Sequence, residues 1–334
     1  MKILITGASG FIGGFIVEKA LDKGYEVWAG IRKTSSREYL QDSRIQFIDL
    51  CFADVEQLKN QLEEFRALHG RWNYIVHNAG ITKSIHLTDY EKVNYSYTKN
   101  FADALISCQM QPRTFILMSS LSVWGPVRDD AMTPIHLQDI PQTNTFYGRS
   151  KLMAGKYVCS LPNFPYVILH PTGVYGPRDK DYFLMFKSIK QGMNFIAGRK
   201  QQFITFIYVQ DLVDAIFLTI EKNVTNASYL LSDGNSYTSS DFSRLIQREL
   251  GKKRVIRLTV PLFVLKIVSY INEKLLALSG KSGTLNRDKY HILAQRNWLC
   301  DISQTQTGLG FSPKYDLVHG VKETAAWYKN AHWL

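Results

Sequence analysis

A tyrosine and a lysine that could perform acid–base chemistry stand four residues apart in "YGRSK", at Tyr147 and Lys151. Residues four apart share one face of a helix, so the two side chains can meet at one site. A lysine beside a phenol lowers the phenol's pKa from about 10, which lets the tyrosine exchange a proton near neutral pH. Ser120, in "LMSSLSVWGP", offers a hydroxyl for a substrate oxygen. A lone YxxxK is common in surface helices, so the catalytic interpretation depends on its companions.

A glycine-rich turn is the first companion. The stretch "TGASGFIGG" follows the first apolar run and places Gly7, Gly10 and Gly13 at GxxGxxG spacing. Glycine is needed where the chain turns tightly from strand to helix and where backbone approaches a pyrophosphate. The N-terminus of the helix then offers free N–H groups to the phosphates. The motif, placed directly after the first strand, predicts a dinucleotide site.

The end of the second predicted strand indicates which dinucleotide is bound. An NAD site of this kind has an acidic residue there, which binds the ribose 2′-hydroxyl. This chain reads "GIRKTSS", with Arg32 and Lys33 and no carboxylate before Glu38. Cations and hydroxyls suit a 2′-phosphate. We therefore predict NADP(H) as the preferred cofactor, with NAD(H) as the alternative, and we predict no metal site. A solvated Arg-Lys turn is the structural alternative for this pair.

The elements that must position these residues follow an alternating pattern. Short apolar runs alternate with helical stretches in the first half, which predicts an α/β fold with a Rossmann-type, doubly wound parallel sheet. Beyond residue 172 helical stretches dominate, and one of them has Ser240 as its predicted N-cap and Gly251 as its stop. We predict an NAD(P)-binding domain over 1–172, to which about 203–220 returns, and a smaller, mainly helical substrate-binding lobe over 173–334. The predicted strands are 2–7, 26–32, 45–50, 74–80, 114–120 and 166–172.

These motifs together resemble the extended short-chain dehydrogenase/reductases, the NAD-dependent epimerase/dehydratase family. The resemblance covers nearly the whole chain, through "TGASGFIG", "VHNAG", "MSSLSVWG", "YGRSK", "HPTGVYGPRD" and "FIYVQDLVDA". The tail "LNRDKYHILAQRNWLCDISQTQTGLGFSP" is similar to the branch that contains dihydroflavonol reductases and 3β-hydroxysteroid dehydrogenases.

The resemblance implies roles for particular residues. Ser120 and Tyr147 hold the reacting oxygen, Tyr147 is the general acid/base, and Lys151 binds the nicotinamide ribose; Ser119 is the alternative hydroxyl. Asn94 is either a structural helix residue or part of a proton relay. Thr82, Ser122 and Arg178 are the substrate candidates. The predicted cofactor-binding residues are Gly7, Ser9, Gly10, Phe11, Ile12, Gly13, Arg32, Lys33, Asp49, Leu50, Asn78, Ala79, Gly80, Tyr147, Lys151, Pro171, Thr172 and Val174.

Departures from the family pattern favour one reaction over others. Dehydratases of the family carry an Asp-Glu pair after the catalytic hydroxyl, where this chain has Leu121 and Ser122. Sugar-nucleotide epimerases place an arginine before the "FIYVQDL" stretch, where this chain has Ile204 and Thr205. We therefore predict a reductase or dehydrogenase of a hydrophobic or moderately polar small molecule. The alternatives are a nucleotide-sugar epimerase and a non-enzymatic regulator that senses the dinucleotide.

Composition and charge restrict the partners. The net charge of +11 arises from dispersed Lys and Arg without a nucleic-acid-binding motif, so we predict no nucleic-acid partner. No signal peptide and no apolar run of roughly 18 residues is seen, which predicts a cytoplasmic protein without a membrane span. The apolar stretch 260–280 is a lid, part of the core or a peripheral membrane contact. Family members commonly dimerise through the helices after the fourth and fifth strands, so a homodimer is an open alternative.

Overall fold

The computed structural model describes residues 1–278 and 285–334. The last two residues of the predicted helical stretch 260–280 lie outside these described residues. The strands are β1 Lys2–Thr6, β2 Glu26–Gly30, β3 Gln46–Ile48, β4 Tyr74–His77, β5 Thr114–Met118, β6 Tyr166–Pro171, β7 Gly173–Tyr175, β8 Met193–Ala197, β9 Phe203–Ile204, β10 Phe206–Tyr208, β11 Ala227–Leu231, β12 Tyr237–Thr238, β13 Ile256–Val260 and β14 Asn297–Trp298.

The helices alternate with the strands in the first half, and later in the chain they span more residues than the short strands do. A π-helical turn, Glu91–Ser96, joins the third and fourth helices, and a 3₁₀ turn, Leu121–Val123, follows β5. The α-helices are α1 Phe11–Asp22, α2 Val55–His69, α3 Thr88–Tyr90, α4 Tyr97–Ser107, α5 Phe146–Ser160, α6 Lys180–Lys190, α7 Val209–Glu221, α8 Ser239–Glu249, α9 Leu262–Leu278, α10 Arg287–Ala294, α11 Ser303–Leu309 and α12 Leu317–Asn330.

A parallel sheet of seven strands, in the order β11-β6-β5-β4-β1-β2-β3, organises the first half of the chain. The predicted Rossmann-type α/β fold and its six strands are confirmed. The strands end one to three residues earlier than predicted, because residues such as Asn78, Ser119 and Ser120 leave the sheet at its carboxyl edge. The seventh strand, β11, was not predicted. It pairs with β6, from Ala227 opposite Val167 to Leu231 opposite Pro171.

Helices cover both faces of this sheet, because successive strand residues point to opposite sides. On one face Ile3 and Ile5 pack with α1 and α7. On the other face Leu4 packs with α2, α4 and α5. Helix α7 and strand β11, which come after the predicted first domain, both pack with this sheet, and the return over about 203–220 stays a prediction. The boundary at 172 stays a prediction.

The C-terminal part of the chain is built on small sheets and helices. The pairs β7-β10 and β8-β13 and the three strands β12-β9-β14 lie beside a separate aromatic core. Helix α8 begins at Ser239, and its N-cap is Thr238, which forms a capping box with Asp241. The predicted cap at Ser240 was wrong by two residues, because the Thr238 side chain meets the third helical N–H. Among the described residues, none of the helices combines the length and hydropathy that a membrane crossing requires.

Candidate active site

The turn between β1 and α1 leaves no room for a Cβ atom at Gly7 or Gly13. Gly7 has φ +67°, and a Cβ there would lie 2.9 Å from the Ala79 backbone. A Cβ on Gly13 would lie 2.2 Å from the Gly7 carbonyl oxygen. Helix α1 begins after Gly10 without a side-chain cap, so its first N–H groups are free to bind an anion. This glycine cradle fits the pyrophosphate of a dinucleotide.

The ends of β2 and β3 form the next part of the cavity. Arg32 lines it together with Ser35 and Ser36. Lys33 is exposed and does not line it; its backbone N–H donates to Asp49 at 3.0 Å. Glu38 also lines this end, so one carboxylate lies near the predicted 2′-phosphate position. The structure thus separates the two predicted cations, with Arg32 in the cavity and Lys33 outside it.

The end of β4 is held by buried polar contacts. The Thr6 hydroxyl accepts from the Ala79 N–H at 3.1 Å and contacts His77 Nδ1 at 2.9 Å. Burial lowers the pKa of His77 to about 3, so this histidine is neutral and structural. Gly80 lies against Lys151: a Cβ there would be 3.1 Å from Lys151 Nζ. Lys151 and the Gly80 backbone, just after β4, therefore line the same wall of the cavity.

Asn94 lies in the π-helical turn and is almost fully buried. Its Oδ1 accepts from the Ile81 N–H at 2.8 Å, and its Nδ2 donates to the Ile81 carbonyl at 3.0 Å and to Ser150 Oγ at 3.0 Å. These contacts join the segment after β4 to the helix that carries Tyr147. Of the two roles left open by the sequence, the geometry favours the structural one.

Ser120, Tyr147 and Lys151 come together at the carboxyl edge of the sheet. Tyr147 lies in the first turn of α5, whose N-cap Thr145 accepts from the Gly148 N–H. The Ser120 hydroxyl lies near the Tyr147 phenol, where it acts to lower the pKa of that phenol, and it donates to Ser122 Oγ at 3.1 Å. Lys151 is buried four residues along the same helix, and its Nζ donates to the Met118 carbonyl at 2.8 Å. The predicted trio therefore faces one cavity.

The acidity of the phenol differs from the sequence-based expectation. We expected Lys151 to lower the pKa of Tyr147, but in the structure burial dominates and raises this pKa to about 12. The Ser120 hydroxyl acts in the opposite direction, and its effect is weaker. Burial also lowers the pKa of Lys151 to about 8. At neutral pH the tyrosine is a protonated phenol, able to donate a proton.

Asp288 is a site residue that the sequence did not reveal. Its two carboxylate oxygens accept from the backbone N–H groups of Phe146 at 3.0 Å and Tyr147 at 2.9 Å. It belongs to α10, 141 residues beyond Tyr147, and the next residue, Lys289, lines the cavity. The "NRD" stretch marks a helix start, but no spacing connects it with α5. The C-terminal lobe therefore holds the first turn of the helix that carries Tyr147.

The three predicted substrate residues differ in their surroundings. Thr82 and Ser122 line the cavity. Arg178 also lines it, but its guanidinium is paired with Glu18 at 2.8 Å and lies 4.5 Å from the Phe15 ring and 4.3 Å from the Tyr39 ring. These contacts direct Arg178 toward α1, which favours a role in holding the two parts of the chain together.

One cavity of about 1400 Å³ joins these features. Among the predicted site residues, Gly13 and Lys33 are the two that do not line it. Gly13 lies beneath the turn, and Lys33 is exposed to solvent outside the lining. The predicted residues that do line the cavity are Gly7, Ser9, Gly10, Phe11, Ile12, Arg32, Asp49, Leu50, Asn78, Ala79, Gly80, Thr82, Ser120, Ser122, Tyr147, Lys151, Pro171, Thr172, Val174 and Arg178.

The sheet, the glycine cradle and the Ser-Tyr-Lys cluster define an extended short-chain dehydrogenase/reductase. The chain belongs to the NAD dependent epimerase/dehydratase family, whose model matches residues 3–231. It is 26% identical to the UDP-glucose 4-epimerase of Vibrio cholerae, over 99% of this chain and 96% of that protein. It is 23% identical to the ceramide reductase of Caulobacter vibrioides, over 99% of this chain and 96% of that protein.

The fold is also that of a solved epimerase. The UDP-glucose 4-epimerase of Thermotoga maritima, crystallised with UDP-glucose, superposes with a TM-score of 0.79 at 21% identity, over 99% of this chain and 100% of that one. This likeness concerns the fold, and the family match identifies the protein as an NAD(P)-dependent enzyme of this family. Its relatives include both an epimerase and a reductase, which leaves the reaction to be argued from the site.

Proposed function

We propose that the protein is an NADP(H)-dependent reductase or dehydrogenase of a hydrophobic or amphiphilic substrate. The observation that supports this proposal is the wall of the cavity supplied by the C-terminal lobe. Strands β8 and β13 and helices α9 and α10 contribute apolar side chains there, and an apolar wall gives little binding to a sugar. These side chains are Phe195, Ile196, Val260, Leu265, Ile292 and Leu293.

The residues of the trio divide the proton chemistry among them. A nicotinamide cofactor bound with its pyrophosphate at the glycine cradle would supply the hydride for a carbonyl carbon. Ser120 and Tyr147 hold the carbonyl oxygen through their hydroxyl groups, and Tyr147 donates its proton to that oxygen as charge develops on it. Lys151, behind Gly80, is placed to bind the cofactor ribose. At neutral pH the phenol of Tyr147 carries the proton that this direction requires.

The positions that support other family reactions carry unsuitable side chains. Leu121 is buried, and Ser122 contacts Ser120, so no carboxylic acid follows the catalytic hydroxyl for water elimination. Ile204 and Thr205 line the cavity where family epimerases have an arginine, and the Thr205 hydroxyl donates to the Trp298 carbonyl. Arg199, the nearest arginine, is exposed and outside the lining. The epimerase stays the second candidate because similarity to epimerases spans the whole chain.

Net cofactor turnover distinguishes the two reactions. A reductase oxidises one NADPH for each ketone reduced, whereas an epimerase returns its cofactor unchanged. We expect the purified protein to consume NADPH with long-chain or polycyclic ketones, measured by the loss of nicotinamide absorbance. Conversion of UDP-glucose or a GDP-sugar to its epimer without net NADPH loss would overturn the proposal.

The proposed proton donor is tested on helix α5 itself. Tyr147→Phe should lower turnover by about 10²–10⁴-fold while the affinity for NADPH stays within about twofold. Tyr157→Phe is the matched control, because its hydroxyl bonds Asp103 on α4, outside the cavity. Normal turnover in Tyr147→Phe would remove this residue from the proposed role.

The cofactor preference is supported by Arg32 and its neighbouring hydroxyls. Arg32→Ala should weaken NADP⁺ binding by about tenfold, since it removes one charged contact to a phosphate, and should leave NAD⁺ binding nearly unchanged. Lys33→Ala, next in the chain but outside the cavity, is the control. Equal losses for both cofactors in Arg32→Ala, measured by fluorescence titration, would contradict the assignment.

A further inference from the structure

Helix α9 exposes a stripe of large apolar side chains. Its inner face is buried through Leu265 and Ser269, yet the opposite face is open. At 100° per residue the exposed positions fall on one side of the helix. The exposed fractions of these side chains are 68% for Phe263, 55% for Ile267, 45% for Val268, 50% for Tyr270, 49% for Ile271 and 61% for Leu275.

The strand pair before α9 extends this apolar surface. Pro261 connects β13 directly to α9, and Gly198 at the end of β8 lies against Leu262. Leu258 on β13 is paired with Phe195 on β8, and both are exposed, at 41% and 55%. A contiguous apolar area of this kind is unusual on a monomer and marks a contact with another phase or molecule. We call the exposed apolar side chains of β8, β13 and α9 the α9 face.

The charge around the α9 face is mainly positive, and Glu273, the one acidic residue within Leu262–Leu278, is paired with Arg287 at 2.7 Å. Segments 187–200 and 251–272, which supply most of its elements and their flanks, contain nine Lys and Arg residues and no Asp or Glu. None of these nine forms an ion pair with a carboxylate in the described part of the chain. Lys274 lies on the stripe itself, where its long stem can follow the apolar surface and keep the amine in water.

We propose that the α9 face docks the protein on the surface of an anionic lipid bilayer. Apolar side chains enter the boundary between headgroups and acyl chains, and the surrounding cations meet the negative surface potential. A second copy of this chain fits less well. In a two-fold contact the same patch meets itself, so the two sets of cations would face each other.

The position of the α9 face also suits a substrate dissolved in lipid. Phe195, Val260 and Leu265 belong to its elements and line the cavity that contains Tyr147. The elements that would touch the bilayer are thus the outer wall of the candidate site. Docking itself depends on the surface alone and holds whether or not the proposed reductase reaction is correct.

Flotation with vesicles tests the docking. The full-length protein should float with vesicles of phosphatidylcholine containing about 30 mol% phosphatidylglycerol and remain unbound with phosphatidylcholine alone. Binding should weaken as salt rises, because the charges are screened. Phe263→Ser/Ile267→Ser and Lys253→Glu/Arg254→Glu, both outside the cavity lining, should each lower the vesicle partition coefficient by about tenfold or more.

Matched controls come from helix α2, which packs with α4 and not with the elements of the α9 face. Leu68 is 69% exposed on α2, and Arg71 is exposed just after this helix. Leu68→Ser and Arg71→Glu therefore make the same kinds of substitution away from the α9 face, and vesicle partitioning should stay unchanged. Retained NADPH affinity and an unchanged thermal midpoint show that each variant is folded. Failure of the wild type to float, or equal losses in the controls, would overturn the proposal. A dimer in light scattering that Phe263→Ser/Ile267→Ser dissociates, without vesicle binding, would assign the face to a second copy.

Discussion

Lys151 is a buried cation, and its charge destabilises the folded state. Its side chain lies within the cavity wall, and burial lowers its pKa from 10.5 to about 8. Below pH 8 the lysine is protonated in both the folded and the unfolded chain, so the folded state bears the full cost. Between pH 8 and about 10.5 the folded lysine is neutral while the unfolded one is still charged. The destabilisation of the folded state therefore falls steadily over this range and is gone above it.

The variant Lys151→Met should therefore show a stability gain that depends on pH. Relative to the wild type, its free energy of unfolding should fall by on the order of 2–3 kcal/mol as pH rises from 7 to 10.5. Loss of the bond to the Met118 carbonyl destabilises the variant across this range, so the test is the trend with pH and not the sign of the difference at one pH. Urea unfolding at several pH values measures the trend, and the exposed Lys156→Met on the same helix is the control. A flat difference would show that Lys151 is not desolvated.

The sequence predicted the members of the trio because their types and order carry the chemistry. It could not predict the acidity of Tyr147, since burial, which raises the pKa, depends on what covers the phenol. It placed Lys33 beside Arg32 as a phosphate ligand, but consecutive side chains diverge, and only Arg32 enters the cavity. Asp288 was missed because it lies 141 residues beyond Tyr147, and only the tertiary structure brings it to the start of α5.

The α1 turn offers two adjacent glycines with opposite expected behaviour. A Cβ on Gly13 would collide with the Gly7 carbonyl oxygen at 2.2 Å and reshape the cradle. A Cβ on Gly14 would meet Arg178 at 3.5 Å, an ordinary contact. Gly13→Ala should lower NADPH affinity by about 100-fold, whereas Gly14→Ala should keep it and stabilise α1 by up to about 1 kcal/mol. Isothermal titration compares the two, and equal affinities would contradict the role of the cradle.

The contact between α10 and α5 lets a distant helix position Tyr147. Asp288 occupies the first two free N–H groups of α5, beside the cap that Thr145 provides. Asp288→Ala should cost about 0.5–2 kcal/mol of stability and lower kcat by about tenfold, because the phenol loses its fixed placement. NADPH affinity should change little. Asp288→Asn, which keeps one acceptor oxygen, should recover part of kcat.

A control separates positioning from general destabilisation. Asp54 caps α2 by accepting from the Gln57 N–H at 3.0 Å, far from the trio. Asp54→Ala should lose a similar amount of stability in urea unfolding while kcat stays unchanged. If both variants lose kcat in proportion to stability, Asp288 is a structural cap and has no particular effect on Tyr147.

At the scale of the molecule, the sequence predicted the sheet better than the second half. Continuous apolar runs that are buried on both faces identify central strands, and all six predicted ones are present. Strand β11, "ASYLL", was missed because it comes after the alternating pattern has loosened, and its first three residues are half-buried at the sheet edge. The small sheets β8-β13 and β12-β9-β14 pair residues distant in sequence, which local patterns do not reveal.

The way the chain returns to the sheet predicts that the first domain cannot fold alone. A chain of residues 1–172 lacks β11, which leaves the edge of β6 unpaired. It also lacks α7, whose Leu212, Ile216 and Phe217 are buried in the core on one face of the sheet. At about 1.5–3 kcal/mol for each large apolar side chain, exposure of that face should cost an amount comparable with the roughly 5–15 kcal/mol by which a domain is usually stable. We expect residues 1–172 to show no cooperative thermal unfolding by circular dichroism and no NADPH binding, under conditions in which the full chain shows both. A cooperative transition with cofactor binding in the shorter chain would establish 1–172 as an independent domain.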